Sequence, residues 1–420
     1  MVVATLSVTE TVSWGIVYYG YPVFLRPMEQ DLGASRVAIT GAFSAGLAIA
    51  ALAAIPVGRW LDRHGPRALM TAGSCLATVL MIAWSRVESV WALYLVWCGL
   101  GLAMAAILYE PAFVAIVQWF STHRDRAMLT LTLAAGLAST IFMPLEAWLL
   151  ARLGWRTSVL TLGVVLAVVT IPLHAIALRP APKPPAPPPG AEPIRGAEPI
   201  GAVAGVGLHA AARAAIFWVL AVAFVVANFA TVSVTVHLIP YLVSLGYGAA
   251  FAAATIGWMG AMQLPGRLFF VPIAGWLGPR WVTASIFLAQ AVGVTLITLV
   301  WLAGIGPVIV LMGAANGMST LARATVVAEV FGRRHYGSIA GALALGANGA
   351  RAAGPVGASL LTLALGSYDR VFWTLGGALA VVGLAVLVTD MRARVVEPGP
   401  GSPRARRALG GVGGPFRGPP

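Results

Sequence analysis

Long apolar runs without charge alternate along this chain with short segments where arginine, glycine, proline and acids collect. Val37–Gly58, Ala68–Ser85, Ser89–Tyr109, Ala127–Leu145, Thr157–Leu178 and Val371–Thr389 each approach or exceed the roughly 18 residues that mark a spanning helix. Ala214–Gly266 and Trp281–Ala322 contain no Asp, Glu, Lys or Arg, and each is long enough for two spans. The pattern predicts helices near 2–25, 36–61, 66–85, 89–118, 126–151 and 156–178, then 214–244, 249–276, 280–301, 306–331, 336–364 and 369–391. The short alternating strands of a transmembrane β-barrel are absent from the pattern. The expected fold class is an all-α membrane protein, with twelve transmembrane helices in two pseudo-symmetric six-helix bundles.

The two sets of six read as repeats. A slide of 211 positions lays Phe120 on Phe331 and Pro144 on Pro355, and an offset of 216 lays Pro56 on Pro272. Six-span repeats joined by a long loop are a transporter architecture. The expected organisation is a first bundle over 1–178, a cytoplasmic linker over 179–213, a second bundle over 214–391, and a basic cytoplasmic tail over 392–420 that reads as disordered. The linker opens on Arg179-Pro180-Ala181-Pro182-Lys183-Pro184-Pro185, which can form neither helix nor sheet.

Composition agrees with a membrane protein. Hydrophobic residues make up 59% of the chain and charged residues 10%, with a mean hydropathy of +0.87. A soluble domain carries about a quarter charged residues to cover its surface. The net charge of +13 could suggest nucleic acid, but the basic residues lie at helix borders. With both termini cytoplasmic, the inner segments hold 18 of the 27 Lys and Arg and the outer loops 6. That is the positive-inside bias, with lipid headgroups and not nucleic acid as the partner. No basic residue precedes the first span, so it reads as a helix and not a cleavable signal peptide. Cys75 and Cys98 fall in spans and read as buried packing. Arginine outnumbers lysine 26 to 1, which points to a GC-rich bacterial genome and a bacterial inner membrane.

Between the second and third predicted helices stands Gly58-Arg59-Trp60-Leu61-Asp62-Arg63-His64-Gly65-Pro66-Arg67. A carboxylate such as Asp62 can sit at a neighbouring helix N-terminus, where free N–H groups and the dipole favour negative charge. The plainer alternative is that Arg59, Arg63 and Arg67 only supply inside charge. The matching stretch of the second half, Gly275-Trp276-Leu277-Gly278-Pro279-Arg280, is three residues shorter and lacks the Asp. The first loop closely resembles the signature loop of the major facilitator superfamily. That resemblance implies the major facilitator fold, alternating access, and a latch made by Gly58, Asp62, Arg63, Gly65 and Arg67 against the helix starting near Tyr336.

Three arginines lie within spans: Arg267, Arg323 and Arg351. An arginine near the bilayer centre costs on the order of 3 kcal/mol on insertion scales, so each needs a partner or a cavity. Their first-half counterparts are Ala51, Ala112 and Thr140, so packing alone does not call for cations. Positive charge on one wall of a cavity suits an anion, which guanidinium binds bidentately. Arg323 lies nearer the cytoplasmic end, where pairing with Glu329 or snorkelling also accounts for it.

Basic residues on helices 8 and 11 resemble those of the oxalate–formate antiporter and monocarboxylate porter group. Trp119-Phe120 with Arg126-Ala127-Met128, Ala135-Gly136-Leu137-Ala138-Ser139 and His237-Leu238-Ile239-Pro240-Tyr241 are similar to the same group. This resemblance implies a small organic anion as substrate, held by Arg267 and Arg351. Tyr18, Tyr19, Tyr109, His237, Gln263 and Asn348 complete the candidate binding set. Two positions depart from the group: Gln263 stands where its porters place an Asp, and Tyr18-Tyr19 where animal members carry a lysine. Proton coupling then falls to Glu110, which precedes Pro111, to Glu10, or to His237, unless a counter-anion drives exchange. Glu146 is expected to lie within reach of Arg152 or Arg156.

The rival transport reading, a proton-driven exporter of drugs or metabolites, expects an arginine in helix 4, where Leu93-Tyr94-Leu95-Val96-Trp97-Cys98-Gly99 has none. Enzymatic activity finds no support. The six histidines are scattered, and no metal, prenyl-diphosphate or phosphate-loop motif appears, so no cofactor or metal is expected. A non-transporting sensor would leave the three arginines without a cavity to serve. The chain is expected to act as a monomer.

Overall fold

A computed structural model describes residues 1–120, 123–178 and 205–389. The tail and the linker up to residue 204 lie outside the described residues. Twelve long helical stretches follow one another. They are α1 (2–31), α2 (Arg36–His64), α3 (Pro66–Trp84), α4 (Val90–Trp119), α5 (124–153) and α6 (155–177). The second set is α7 (Ala215–Ser244), α8 (Ala249–Leu277), α9 (Pro279–Leu299), α10 (Gly306–Phe331), α11 (Tyr336–Leu365) and α12 (Tyr368–Val388).

Local chemistry sets the ends of these helices. Ser35, Ser89 and Ser367 each accept a hydrogen bond from the backbone N–H three residues on, satisfying one orphan donor of α2, α4 and α12. The repeat shows in the turns. Gly65 (φ 75°, ψ 176°) and Gly278 (φ 79°, ψ 165°) adopt the same conformation, each followed by a proline at the first helical position. Two loops of different length and charge therefore make one turn. The reversal from α5 to α6 rests on Gly154, at φ 72°.

Eight of the twelve stretches lie in runs long and apolar enough to cross a bilayer. The other four are α1, α8, α10 and α11, the helices that carry Glu10, Arg267, Arg323 and Arg351. The outer wall suits lipid: Trp91, Trp148, Trp218, Trp258, Trp276, Trp281, Trp301 and Trp373 are exposed there among aliphatic side chains. Cys75 is exposed and Cys98 half-buried, both as free thiols, which corrects the expectation that they pack in the interior. The expected linker also changes at its end. Leu208–Arg213 is a short helix, and Val206 donates its N–H to the Phe331 carbonyl, so this stretch docks on the end of α10.

Within the first half, α2 and α4 touch backbone to backbone. A Cβ on Gly101 would fall on the Gly46 carbonyl, and one on Gly46 would reach the Trp97 carbonyl at 2.6 Å. Overpacking of this kind costs about 1–3 kcal/mol. Gly101→Ala is expected to lower the melting midpoint of the purified protein by several degrees. A midpoint equal to wild type would show that the two helices can part without loss.

Candidate functional site

The two halves meet in a polar layer toward one face of the molecule. This face carries the α2–α3, α4–α5 and α10–α11 turns, with Arg59, Arg63, Arg67, Arg124, Arg126, Arg333 and Arg334, and is called the basic face below. Hydrogen bonds and ion pairs between the halves are concentrated in this layer and just above it.

Asp62, near the end of α2, accepts from the backbone N–H of Gly337 at 2.7 Å, the N–H of Ser338 at 2.8 Å and the Ser338 hydroxyl. It therefore caps the N-terminus of α11 from the other half, where the helix dipole favours an anion. Gly58 permits this approach, since a Cβ there would clash with the Gly337 carbonyl. The converse contact was not foreseen. Arg333 donates to the Val117 carbonyl at 2.7 Å and the Gln118 carbonyl at 2.9 Å, capping the C-terminus of α4 with a cation. Gly65 makes the α2–α3 turn, and Arg67 Nε donates to the Ala175 carbonyl at 2.8 Å. Arg63 is exposed and forms no such bond.

One level deeper, two irregular helices meet. Trp14–Tyr19 is a π-helical segment within α1, and it carries Tyr18 and Tyr19. In α4 the helix breaks at Leu108 (φ −91°, ψ −163°) and restarts at Tyr109, which puts Glu110 in the first turn of a new half-helix. Pro111 lacks an N–H to continue the ladder across the break. The pieces touch: the Trp14 ring lies 4.9 Å from both Tyr18 and Tyr109. Glu10, 0% exposed, accepts from Trp14 Nε1 at 3.1 Å, while its other oxygen has no partner.

The three intramembrane arginines reach this region from the other half. Arg323 pairs with Glu110 at 2.5 Å. The expected partner, Glu329, instead faces Arg124 at 4.0 Å. A fit to a local acid gave way to a pairing 213 positions apart in the chain. Arg267 is 7% exposed, donates to the Thr132 carbonyl of α5 and lies beside Tyr109; its Nε is unpaired. Arg351 differs from both. It is exposed although it sits mid-way along α11, and its Nε donates to Asn228 Oδ1 at 2.6 Å within its own half. Asn228 is fixed in turn by its Nδ2, which donates to the Phe224 carbonyl at 2.8 Å. The two terminal nitrogens of Arg351 are left without a protein acceptor among the described residues. Tyr19 lies within electrostatic reach of Arg267 and Arg351, and Tyr18 of Arg351.

The structure thus brings together Tyr18, Tyr19, Tyr109, Glu10, Glu110, Arg267 and Arg351. Gln263 and Asn348 lie one turn from Arg267 and Arg351, half-buried and with no hydrogen bond of their own among the described residues. His237 stands apart, about 13 Å along α7 from Asn228 at 1.5 Å per residue, with its ring 5.5 Å from Tyr368. Glu146 corrects an expectation. It is 0% exposed and packs under Gly20, both its oxygens lack partners, and Arg156 pairs with Asp31 instead. Asn228, Thr231, Asn316 and Gln290 were missed. Being uncharged, they gave no charge signal, although amides within apolar runs are visible in the sequence. A cavity of ≈ 220 Å³ is lined by Asp125, Val271, Ala322, Thr325 and Glu329, beside Arg323 and one turn from Arg267 along their helices, with none of the three arginines on its wall.

A family model described as the Major Facilitator Superfamily matches residues 6–262. The oxalate:formate antiporter of Oxalobacter formigenes is 28% identical over 243 residues, 57% of this chain and 54% of that protein. Human monocarboxylate transporter 11 is 29% identical over 262 residues, 61% of this chain and 52% of that protein. The chain therefore spans about half the length of these curated relatives. The crystal structure of the human organic anion transporter MFSD10 (TETRAN) superposes with a TM-score of 0.69 at 15% identity, covering 92% of this chain and 98% of that one, a likeness of fold alone.

Asp62→Asn exchanges a charged acceptor of three hydrogen bonds for an amide that presents a donor to the α11 N-terminus. Such losses cost about 1–3 kcal/mol, or roughly 5- to 150-fold in an equilibrium. Amide exchange at Gly337 and Ser338 is expected to speed up by a factor in that range. Exchange at the wild-type rate would show that Asp62 does not hold the halves together.

Proposed function

This chain belongs to the Major Facilitator Superfamily, as a multi-pass membrane transporter and not an enzyme, and on that premise we propose that it carries a small organic anion, a mono- or dicarboxylate, by alternating access. One observation carries the proposal: Arg351 is exposed at mid-membrane depth with its terminal nitrogens free. An arginine at that depth pairs with a carboxylate or carbonyl or faces a water-filled space, and the terminal nitrogens of Arg351, with no such partner among the described residues, favour the last. The names of the two curated relatives, an oxalate:formate antiporter and a monocarboxylate transporter, point the same way.

The basic face is the cytoplasmic face by the positive-inside rule, in a bacterial inner membrane with both termini inside. The state described here is then closed toward the cytoplasm. Asp62 on α11 and Arg333 on α4 latch the two halves. The anion enters from outside and docks its carboxylate on Arg351, with the Tyr18 and Tyr19 hydroxyls as further donors. Arg267 faces the Thr132 carbonyl in this state and turns to the anion as the halves rock. Glu110 supplies the coupling step. A proton on Glu110 removes the partner of Arg323 and loosens the layer beneath the site, so that proton uptake favours opening to the cytoplasm. Glu10, one bond short in a buried position, is the second proton candidate. A counter-anion that competes with Glu110 for Arg323 would have the same effect.

Uptake of labelled oxalate and lactate into proteoliposomes tests the proposal. Wild type is expected to take up at least one of them above empty vesicles. Arg351→Gln is expected to weaken it by about 10- to 100-fold, the worth of hydrogen bonds to a charged group. Arg267→Gln is expected to abolish transport while the protein stays folded. Wild-type uptake in both variants, or none by wild type across a panel of carboxylates, would remove the anion reading.

A further inference from the structure

Beyond Arg351, the second half holds a polar group of three side chains that the transport scheme does not use. Asn316 of α10 accepts two hydrogen bonds on Oδ1, from the Thr231 hydroxyl of α7 at 3.0 Å and from Gln290 Nε2 of α9 at 2.7 Å. Gln290 is 2% exposed and stands behind Asn316. Both donors meet the amide on its oxygen, while Gln290 Oε1 has no partner of its own. The Asn316 Nδ2, with its two N–H bonds, therefore points away from them. It makes no hydrogen bond among the described residues, is not one of the buried unpartnered atoms, and belongs to a half-buried side chain.

Helix periodicity gives the direction. Asn316 and Arg323 are seven residues apart, two turns along one face of α10, and Arg323 crosses to Glu110 of the other half. That face of α10 looks into the space between the halves. On α7, Asn228, Thr231 and Thr235 form one stripe. It lies about a third of a turn round the helix from Val222, Val236 and Val243, which are exposed apolar side chains suited to lipid. Arg351 and Asn316, from two different helices, thus end on α7 residues one turn apart, Asn228 and Thr231. Neighbours at this spacing are about 5–6 Å apart, the reach of a two- to four-carbon acid.

We propose that Asn316, oriented by Thr231 and Gln290, is a second polar subsite of the anion site proposed above, one helical turn outward from Arg351. It donates to an oxygen on the chain of the bound acid: a hydroxyl, a keto group or a second carboxylate. This rests on Arg351 as the anchor of the first carboxylate. The site then selects oxygenated short-chain acids over plain alkanoates. The alternative is that the three polar side chains serve only as a clamp between α7, α9 and α10. A clamp would affect stability and would not discriminate between acids.

The test is calorimetric binding of propionate, lactate and malonate to purified full-length protein, with melting midpoints recorded alongside. Propionate and lactate differ by one hydroxyl. Wild type is expected to bind lactate or malonate about 5- to 20-fold more tightly than propionate, the worth of one or two hydrogen bonds. Asn316→Leu should bring that ratio to within about twofold while propionate affinity is kept. Asn316→Ser, a smaller change, serves if the Leu variant does not fold. Thr231→Val, which removes one of the two groups that orient the amide, should give an intermediate ratio. Equal wild-type affinity for all three acids overturns the subsite, and so does a ratio unchanged in both Asn316 variants. A uniform loss for all acids with a lower melting midpoint assigns the group to the clamp and also overturns it. If none of the acids binds to wild type, the anchor itself fails, and the subsite falls with it.

Discussion

A guanidinium group inside hydrocarbon must find oxygen or water, and in this protein that requirement joins the two halves. The second half carries the intramembrane arginines, and the first half supplies the oxygens that two of them reach. Arg323 ends on Glu110 and Arg267 on the Thr132 carbonyl, while at the border Arg333 ends on the carbonyls of Val117 and Gln118. Asp62 returns the interaction by capping α11. Packing alone would hold two apolar bundles together without preference for register. Charged groups that are costly to leave unpaired give the closed state a defined geometry, and a defined set of contacts to exchange when it opens.

Arg351 is the exception on which the proposed function rests. Its own half orients it through Asn228, so it stays in place without spending its terminal nitrogens on the first half. The irregular backbone lies opposite. A π segment in α1 and a break in α4 would be unfavourable against lipid, where freed backbone groups find no partner. They are tolerated where they border a polar interior. The same irregularities bring Tyr18, Tyr19, Tyr109 and Glu110 toward the arginines.

Much of the fold could be read from the sequence, because span length and charge placement are local properties. The Gly65-Pro66 and Gly278-Pro279 turns followed from short patterns with a direct physical meaning, while the seat of Asp62 at the start of α11 came from the resemblance of its loop to a family signature. The pairing of Arg323 followed from neither. A nearby acid, Glu329, was visible, whereas Glu110 lies in the other half and becomes a neighbour only through tertiary packing. Glu146 failed for a related reason: the rotation of α5 about its axis decides whether that carboxyl meets Arg156 or Gly20, and the apolar pattern of a membrane helix barely encodes rotation. The amides Asn228, Asn316 and Gln290 carry no charge, so attention to charges passed over the side chain that holds Arg351 and the polar group beside it.

The account depends on a water-filled space beside Arg351 that accepts an anion. Diffraction from crystals grown with 2-bromopropionate, collected at the bromine absorption edge, tests this most directly. A single anomalous peak in the space bordered by Arg351, Tyr18, Tyr19 and Asn316 is the expected result. An empty space there in crystals whose protein binds the acid in solution, or a peak only on the outer surface, would contradict it.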